Sequence, residues 1–197
     1  MSKQILVIPD VHGRTFWKEP VKRINDFDKV IFLGDYLDPY PKEGITEDEA
    51  FANFKEIVNL KNQYQDKVTL LLGNHDIHYR WPKEACISTR FSMKNAMEYM
   101  CYYYENRSCF QIAHTEIIDA KIYLFTHAGI NNKWLKHNKI DLDRFSVLQT
   151  LNRLATTSEG KMILSQIGAA RGGDFPSGGP FWSDYAYELN SGNQKID

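Results

Sequence analysis

Asp10-Val11-His12 sets a carboxylate and an imidazole close together in an extended turn, so both could chelate one metal ion. Three further stretches carry the same kinds of group. Asp35 and Asp38 lie in Gly34-Asp35-Tyr36-Leu37-Asp38, Asn74 and His75 in Gly73-Asn74-His75-Asp76, and His127 in Thr126-His127-Ala128-Gly129. Oxygen and imidazole donors without sulfur suit manganese above all, then iron or zinc, and magnesium more weakly. Asp35 is a candidate bridge, because a carboxylate has two oxygens and can touch two ions. Asn74 offers a neutral carbonyl oxygen and His127 a neutral ring nitrogen. Two divalent cations set against Asp10 and Asp35 leave a surplus of positive charge that matches a phosphate dianion. A two-metal site is a known solution for phosphoryl transfer. The leaving alkoxide still needs a proton. His75 diverges from its neighbour Asn74, so it is better placed as general acid than as ligand. Asp38 would accept its other ring N–H and orient it.

Each group follows a short apolar run: Ile5–Ile8, Val30–Leu33, Val68–Leu72 and Ile122–Phe125. Continuous Val, Ile, Leu and Phe reads as strand buried on both faces of a sheet. If the four strands are parallel neighbours, their carboxyl ends share one edge and the four loops converge there. Helical stretches separate the runs. Thr46 with Glu49 forms a capping box, after which Ala50, Phe54, Ile57, Lys61 and Tyr64 fall along one side. Residues 92–104 and 143–155 also read as helices, and 171–179 as a Gly/Pro/Ser-rich loop. The pattern predicts an α/β fold.

An Asp or Asn after a strand is by itself a turn or cap residue. Turn chemistry does not account for the histidines, and four such groups at four strand ends point to a site. His78, His114 and His137 read as surface or satisfied core histidines. Met93, Met97 and Met100 with Tyr102–Tyr104 read as core or lid packing.

The 197 residues suit one domain, with 43% hydrophobic and 25% charged residues. The formal net charge of −1 lends no support to a broad nucleic-acid surface and speaks against nucleic acid as partner. Three cysteines with no CxxC pair argue against a disulfide scaffold and a thiolate zinc site, and fit a reducing cytoplasm. The run Ile5–Ile8 is too short for a signal-peptide core, and no run approaches the ~20 apolar residues of a membrane helix. A soluble, cytoplasmic protein with no membrane partner is expected.

The four motifs, in this order, resemble those of the calcineurin-like metallophosphoesterases. They look closest to the phosphoprotein-phosphatase branch and its bacterial and phage relatives. A weaker match is Phe181-Trp182-Ser183-Asp184. The resemblance implies a sandwich of two mixed β-sheets flanked by helices, with a dinuclear centre at the strand ends. It also implies that Asp10, His12 and Asp35 hold one metal, that Asp35, Asn74 and His127 hold the other, and that His75 is the proton donor oriented by Asp38. The expected substrate is a phosphorylated protein or small molecule, and the expected activity is that of a serine/threonine-phosphatase-like phosphomonoesterase. A nucleotide, dinucleoside polyphosphate or phosphodiester hydrolase is the nearest alternative, and a scaffold with weakened catalysis the next.

The sequence departs from that branch twice. Pro39 stands where an arginine commonly grips phosphate; Arg14, Arg80 or Arg171 could substitute, with Arg171 the first choice. No histidine follows His137, where the family expects a late metal ligand. Residues 1–197 are expected to form a single domain; either the chain stops short of its C-terminal closing segment, the first choice, or another group fills the ligand position, or the second metal binds weakly.

Overall fold

The computed structural model describes residues 3–140 and 146–190. The polar tail from Ser191 and the first residues of the helix expected at 143–155 lie outside the described residues. The described chain divides into two compact units. One comprises residues of Met1–Pro82 and Ile87–Gln111, the other residues of Lys83–Cys86 and Ile112–Asp197.

The first unit is built on a four-stranded sheet in the order β1 (Ile5–Ile8), β2 (Lys29–Phe32), β3 (Val68–Leu71), β4 (Phe110–Gln111), with every pairing parallel. The central strands bear out the continuous apolar runs: Val30, Ile31, Phe32, Val68, Leu70 and Leu71 are fully buried. At the edge, β1 leaves Val7 partly exposed, because an edge strand has a neighbour on one side only. Helix α1 (Lys18–Val21) precedes β2. Helix α2 (Glu47–Gln63) starts at the expected capping box, where Glu49 N–H donates to Thr46 Oγ1 at 3.2 Å and Thr46 N–H to Glu49 Oε2 at 2.9 Å. Acidic Glu47, Asp48 and Glu49 in its first turn oppose the helix dipole favourably. Ala50, Phe51, Phe54, Ile57 and Val58 are buried, and Tyr36 stacks on Phe54 at 5.0 Å. Lys61 lies on the same face, yet its ammonium donates to the carbonyls of Gln65 and Val68. Helices α3 (Asn74–Arg80) and α4 (Ala96–Glu105) complete this unit. Tyr99 and Tyr103 of α4 are buried, whereas Met93 and Met97 are 81% and 74% exposed and so belong to no core.

The second unit holds an antiparallel hairpin of β5 (Ala113–Ile118) and β6 (Lys121–Thr126). The run Ile122–Phe125 is therefore not a fourth parallel strand. Lys121, Ile122 and Tyr123 are exposed, and among the described residues the run pairs with β5 alone. The third strand's second neighbour is the two-residue β4, too short to leave a sequence signal. Helices α5 (Asn132–His137), α6 (Val147–Leu154) and α7 (Ser158–Leu164) pack in this unit around buried Trp134, Leu151 and Leu164. The architecture is α/β: a parallel sheet and an antiparallel sheet, flanked by helices. Among the described residues no helix is long and apolar enough to cross a membrane.

Candidate active site

Because β1, β2 and β3 are parallel and adjacent, the segments that leave their carboxyl ends emerge side by side. Backbone bonds stitch these segments together. The N–H groups of Val11 and His12 both donate to Asp35 O, at 3.1 and 2.6 Å, and Gly13 N–H donates to Tyr36 O at 3.0 Å. Gly34 is required where β2 meets β3: its φ is +111°, and any side chain there would run into the backbone of Gly73.

A buried carboxylate locks the arrangement from behind. Asp76 Oδ2 accepts from the backbone N–H of Asp35 and of Gly73, each at 2.7 Å. Its Oδ1 accepts from Tyr36 N–H at 3.0 Å and from the Tyr103 hydroxyl at 2.6 Å. Burial, and then the charge of Asp35, push its carboxyl up to about 7.

The side chains in front are the candidates for chemistry. His12 Nδ1 lies 2.9 Å from Leu37 O, so Nδ1 bears the proton and the Nε2 lone pair turns inward, 3.3 Å from Asp35 Oδ2. Burial lowers the affinity of the His12 ring for a second proton. The hydrogen bond and charge of Asp35 outweigh that and leave its pKa above the usual value. Asp35 Oδ1 accepts from His75 N–H at 2.8 Å. His75 stands edge-on to His12 with ring centroids 5.0 Å apart, and its Nδ1 donates to Asp38 Oδ2 at 2.8 Å. Burial pushes the Asp38 carboxyl up, but the hydrogen bond from His75 and the close His78 ring hold it below the usual carboxylate range. His12, Asp35 and Asp38 are each almost wholly buried, and each adopts positive φ, at 46°, 54° and 57°. Three such residues in one small site amount to stored backbone strain.

His12, Asp35 and His75 each offer a ligand atom within 4.8 Å of the others. The donor set is buried, free of sulfur, and contains an imidazole whose tautomer is fixed by a backbone carbonyl. It fits a divalent cation of the hard to borderline kind.

The first unit thus brings together His12, Asp35, Asp38 and His75. Asp10 follows β1 and is exposed, with its backbone carbonyl accepting from Arg14 Nη1 at 3.3 Å. Asn74 opens α3 and is half-buried. His127 follows β6 in the second unit, in a loop held to Pro180 O by Ala128 N–H at 2.8 Å. The Trp182-Ser183-Asp184 stretch packs on that loop, with Ser183 Oγ donating to Gly129 O at 3.3 Å. Arg14 and Arg171, two of the arginines expected to bind phosphate, are each paired with a carboxylate: Arg14 with Glu43 at 2.9 Å, and Arg171 of the second unit with Asp184 at 2.9 Å.

Sequence reasoning missed Arg90. Its guanidinium lies over the Tyr40 ring at 3.9 Å. Its Nε donates to Asp38 O at 3.0 Å, and its Nη2 lies 3.1 Å from His75 Nε2 and 3.4 Å from His12 Nε2. An arginine in a loop 78 residues from His12 carries no spacing that could have found it. His78 is also more than a satisfied core histidine, for its Nε2 lies 3.0 Å from Asp38 Oδ2 with the ring fully buried. Its place one helical turn beyond Asn74 and His75 was the signal available.

No curated protein and no solved structure matches the chain. The family model for calcineurin-like phosphoesterases matches residues 3–190, which takes in both units and all four motifs. The chain belongs to the calcineurin-like phosphoesterase family, whose members are metal-dependent phosphoester hydrolases.

Proposed function

We propose that this hydrolase is a phosphomonoesterase that works with two divalent cations, manganese foremost, held by Asp10, His12, Asp35, Asn74 and His127. On this reading residues 1–197 act as one phosphoesterase domain in the cytoplasm, on a phosphorylated protein or small molecule. When bound, the cations would supply Lewis-acid charge and an acidic water. The chain's own groups do the rest. Asp38 orients the His75 ring through Nδ1, so Nε2 faces the reacting phosphate and, in the imidazolium form, delivers its proton to the leaving oxygen. Arg90, flattened on Tyr40 and tied to the Asp38 carbonyl, grips a phosphate oxygen beside His75.

The observation that carries the reading is the meeting of Arg90 Nη2 with His75 Nε2 at 3.1 Å, while Asp38 holds the far side of that ring at 2.8 Å. A fixed cation beside the proton donor favours a monoester, whose second negative charge it offsets. Hydrolysis of p-nitrophenyl phosphate and of bis(p-nitrophenyl) phosphate by the manganese-loaded protein tests this. Turnover of the monoester is expected to dominate, and activity on the diester alone would contradict it.

A further inference from the structure

A strap, residues 88–92, is laid across α3 and fastened at both ends. Ser88 N–H donates to His78 Nδ1 at 3.3 Å, and Ser92 N–H donates to Tyr79 Oη at 2.8 Å. Between them Phe91 stacks on Tyr79 at 4.8 Å and meets His78 edge-on at 5.0 Å. Arg90 projects from this strap.

The same two α3 residues hold the Asp38 carboxylate. Tyr79 Oη donates to Oδ1 at 2.6 Å, and His78 Nε2 lies 3.0 Å from Oδ2, beside the His75 contact at 2.8 Å. The tautomer follows from the strap. Since Ser88 N–H donates to His78 Nδ1, that nitrogen carries the lone pair, and the ring proton sits on Nε2, facing Asp38. The Nε2–Oδ2 approach of 3.0 Å lacks hydrogen-bond geometry, so it acts as an electrostatic tether. A fully buried side chain with a polar atom at each end joins two things that a phosphate reader and a proton donor both need.

We propose that His78 is a positioning residue with two separable tasks: its Nε2 holds Asp38, and hence the tilt of His75, while its Nδ1 holds the strap that presents Arg90. The proposal rests on the reading of His75 and Asp38 as the proton-donating pair. Tyr79 also spans Asp38 and the strap, accepting from Ser92 N–H and donating to Asp38 Oδ1, but it takes the other end of the strap and the other carboxylate oxygen, and the Phe91 side chain has no polar atom.

Two substitutions part the tasks. The amide of Asn overlays the Nδ1 end of an imidazole, whereas the amide of Gln reaches the Nε2 end. In manganese-loaded protein, turnover of p-nitrophenyl phosphate is compared with that of phosphoserine, whose leaving group needs far more protonation. The inhibition constant of inorganic phosphate reports on Arg90. His78→Asn is expected to slow phosphoserine about 10-fold more than the aryl ester and to leave phosphate inhibition near that of the parent. His78→Gln is expected to keep the parent's ratio between the two substrates and to weaken phosphate inhibition roughly 3- to 10-fold. Equal slowing of both substrates in both variants, with phosphate inhibition unmoved, is what a merely structural histidine would give and would overturn the proposal. So would a His78→Gln ratio as depressed as that of His75→Asn, a result that stands even if His78→Asn does not fold. Failure of the underlying reading looks different: the parent would not turn over monoesters, or His75→Asn would slow both substrates alike.

Discussion

His12, Asp35 and Asp38 at the carboxyl edge of the parallel sheet adopt φ of 46°, 54° and 57°, and Asp119 and Ala120 at the β5–β6 turn adopt 48° and 61°. The angles match and their reasons differ. In the hairpin, Ile118 pairs with Lys121, so a two-residue loop must follow the right-handed twist of its strands, and such loops need positive φ at both positions. Both turn residues are exposed. No hairpin rule governs the first unit's loops. There the strained residues are buried and polar, and each is tied down by bonds to a neighbouring loop. Holding a non-glycine residue in this region costs roughly 1–2 kcal/mol. The site sustains that cost three times while holding one imidazole and two carboxylates in one buried cluster with His75. Backbone strain alone is turn geometry; strain together with buried, mutually bonded charge marks the candidate site.

Several substitutions bear on that contrast. The largest effect is expected from Asp35→Asn, which removes the charge of the proposed bridging ligand. Bound manganese and turnover should fall together, turnover by about 10³-fold or more, as measured by metal analysis alongside monoester hydrolysis. His75→Asn should keep the metal and slow turnover by roughly 10²–10⁴-fold, with less loss on esters of acidic leaving groups. Loss of a metal in that variant would show His75 to be a ligand.

The next effects fall on stability. Gly34→Ala forces a methyl group into the Gly73 backbone at φ +111° and is expected to cost about 2–4 kcal/mol. Gly172→Ala, at φ +81° in open space, should cost only about 1 kcal/mol. Denaturant titrations of the two variants would show whether the close approach at the strand ends, rather than the angle, sets the difference.

A pH effect follows from the buried charge. In the metal-free protein Asp76 is pushed up to about 7, and the His12 ring is also raised above its usual value. For both groups the folded chain holds its proton more tightly than the unfolded chain. Their stabilising contributions are full below the unfolded pKa values and are lost as the pH rises through the folded ones. Asp38, held low, acts in the opposite sense, but only as the pH falls below the ordinary carboxylate range. Chelator-treated protein is therefore expected to melt at a lower temperature at pH 8 than at pH 5.5. The smallest effect is at the hairpin. Ala120→Gly should relieve the turn and raise stability by up to about 1 kcal/mol without touching turnover.

Much of this was legible in the residues. Apolar runs marked β1, β2 and β3, Thr46 and Glu49 marked the start of α2, and Asp35, Asp38 and His75 were marked by type and spacing. The antiparallel pairing of β6 was not legible, because Ile122–Phe125 has the composition of a buried strand and its exposure depends on which neighbours the fold supplies. Arg90 and the second role of His78 were hidden for a related reason. Both depend on the path of a loop between α3 and α4, and a loop without periodicity does not reveal where it is fastened. Asp76 was given no role from the sequence, because its four hydrogen bonds to three segments are a property of the assembled strand ends.

The central claim, that a pair of divalent cations works with His75, Asp38 and Arg90 on a phosphomonoester, is tested most directly by titrating manganese into chelator-treated protein. Bound metal and p-nitrophenyl phosphate hydrolysis would be followed together. Two equivalents should bind, with turnover absent at the start and rising as the second is taken up. Hydrolysis that proceeds without metal, or saturation at fewer than two equivalents with full turnover, would contradict the account.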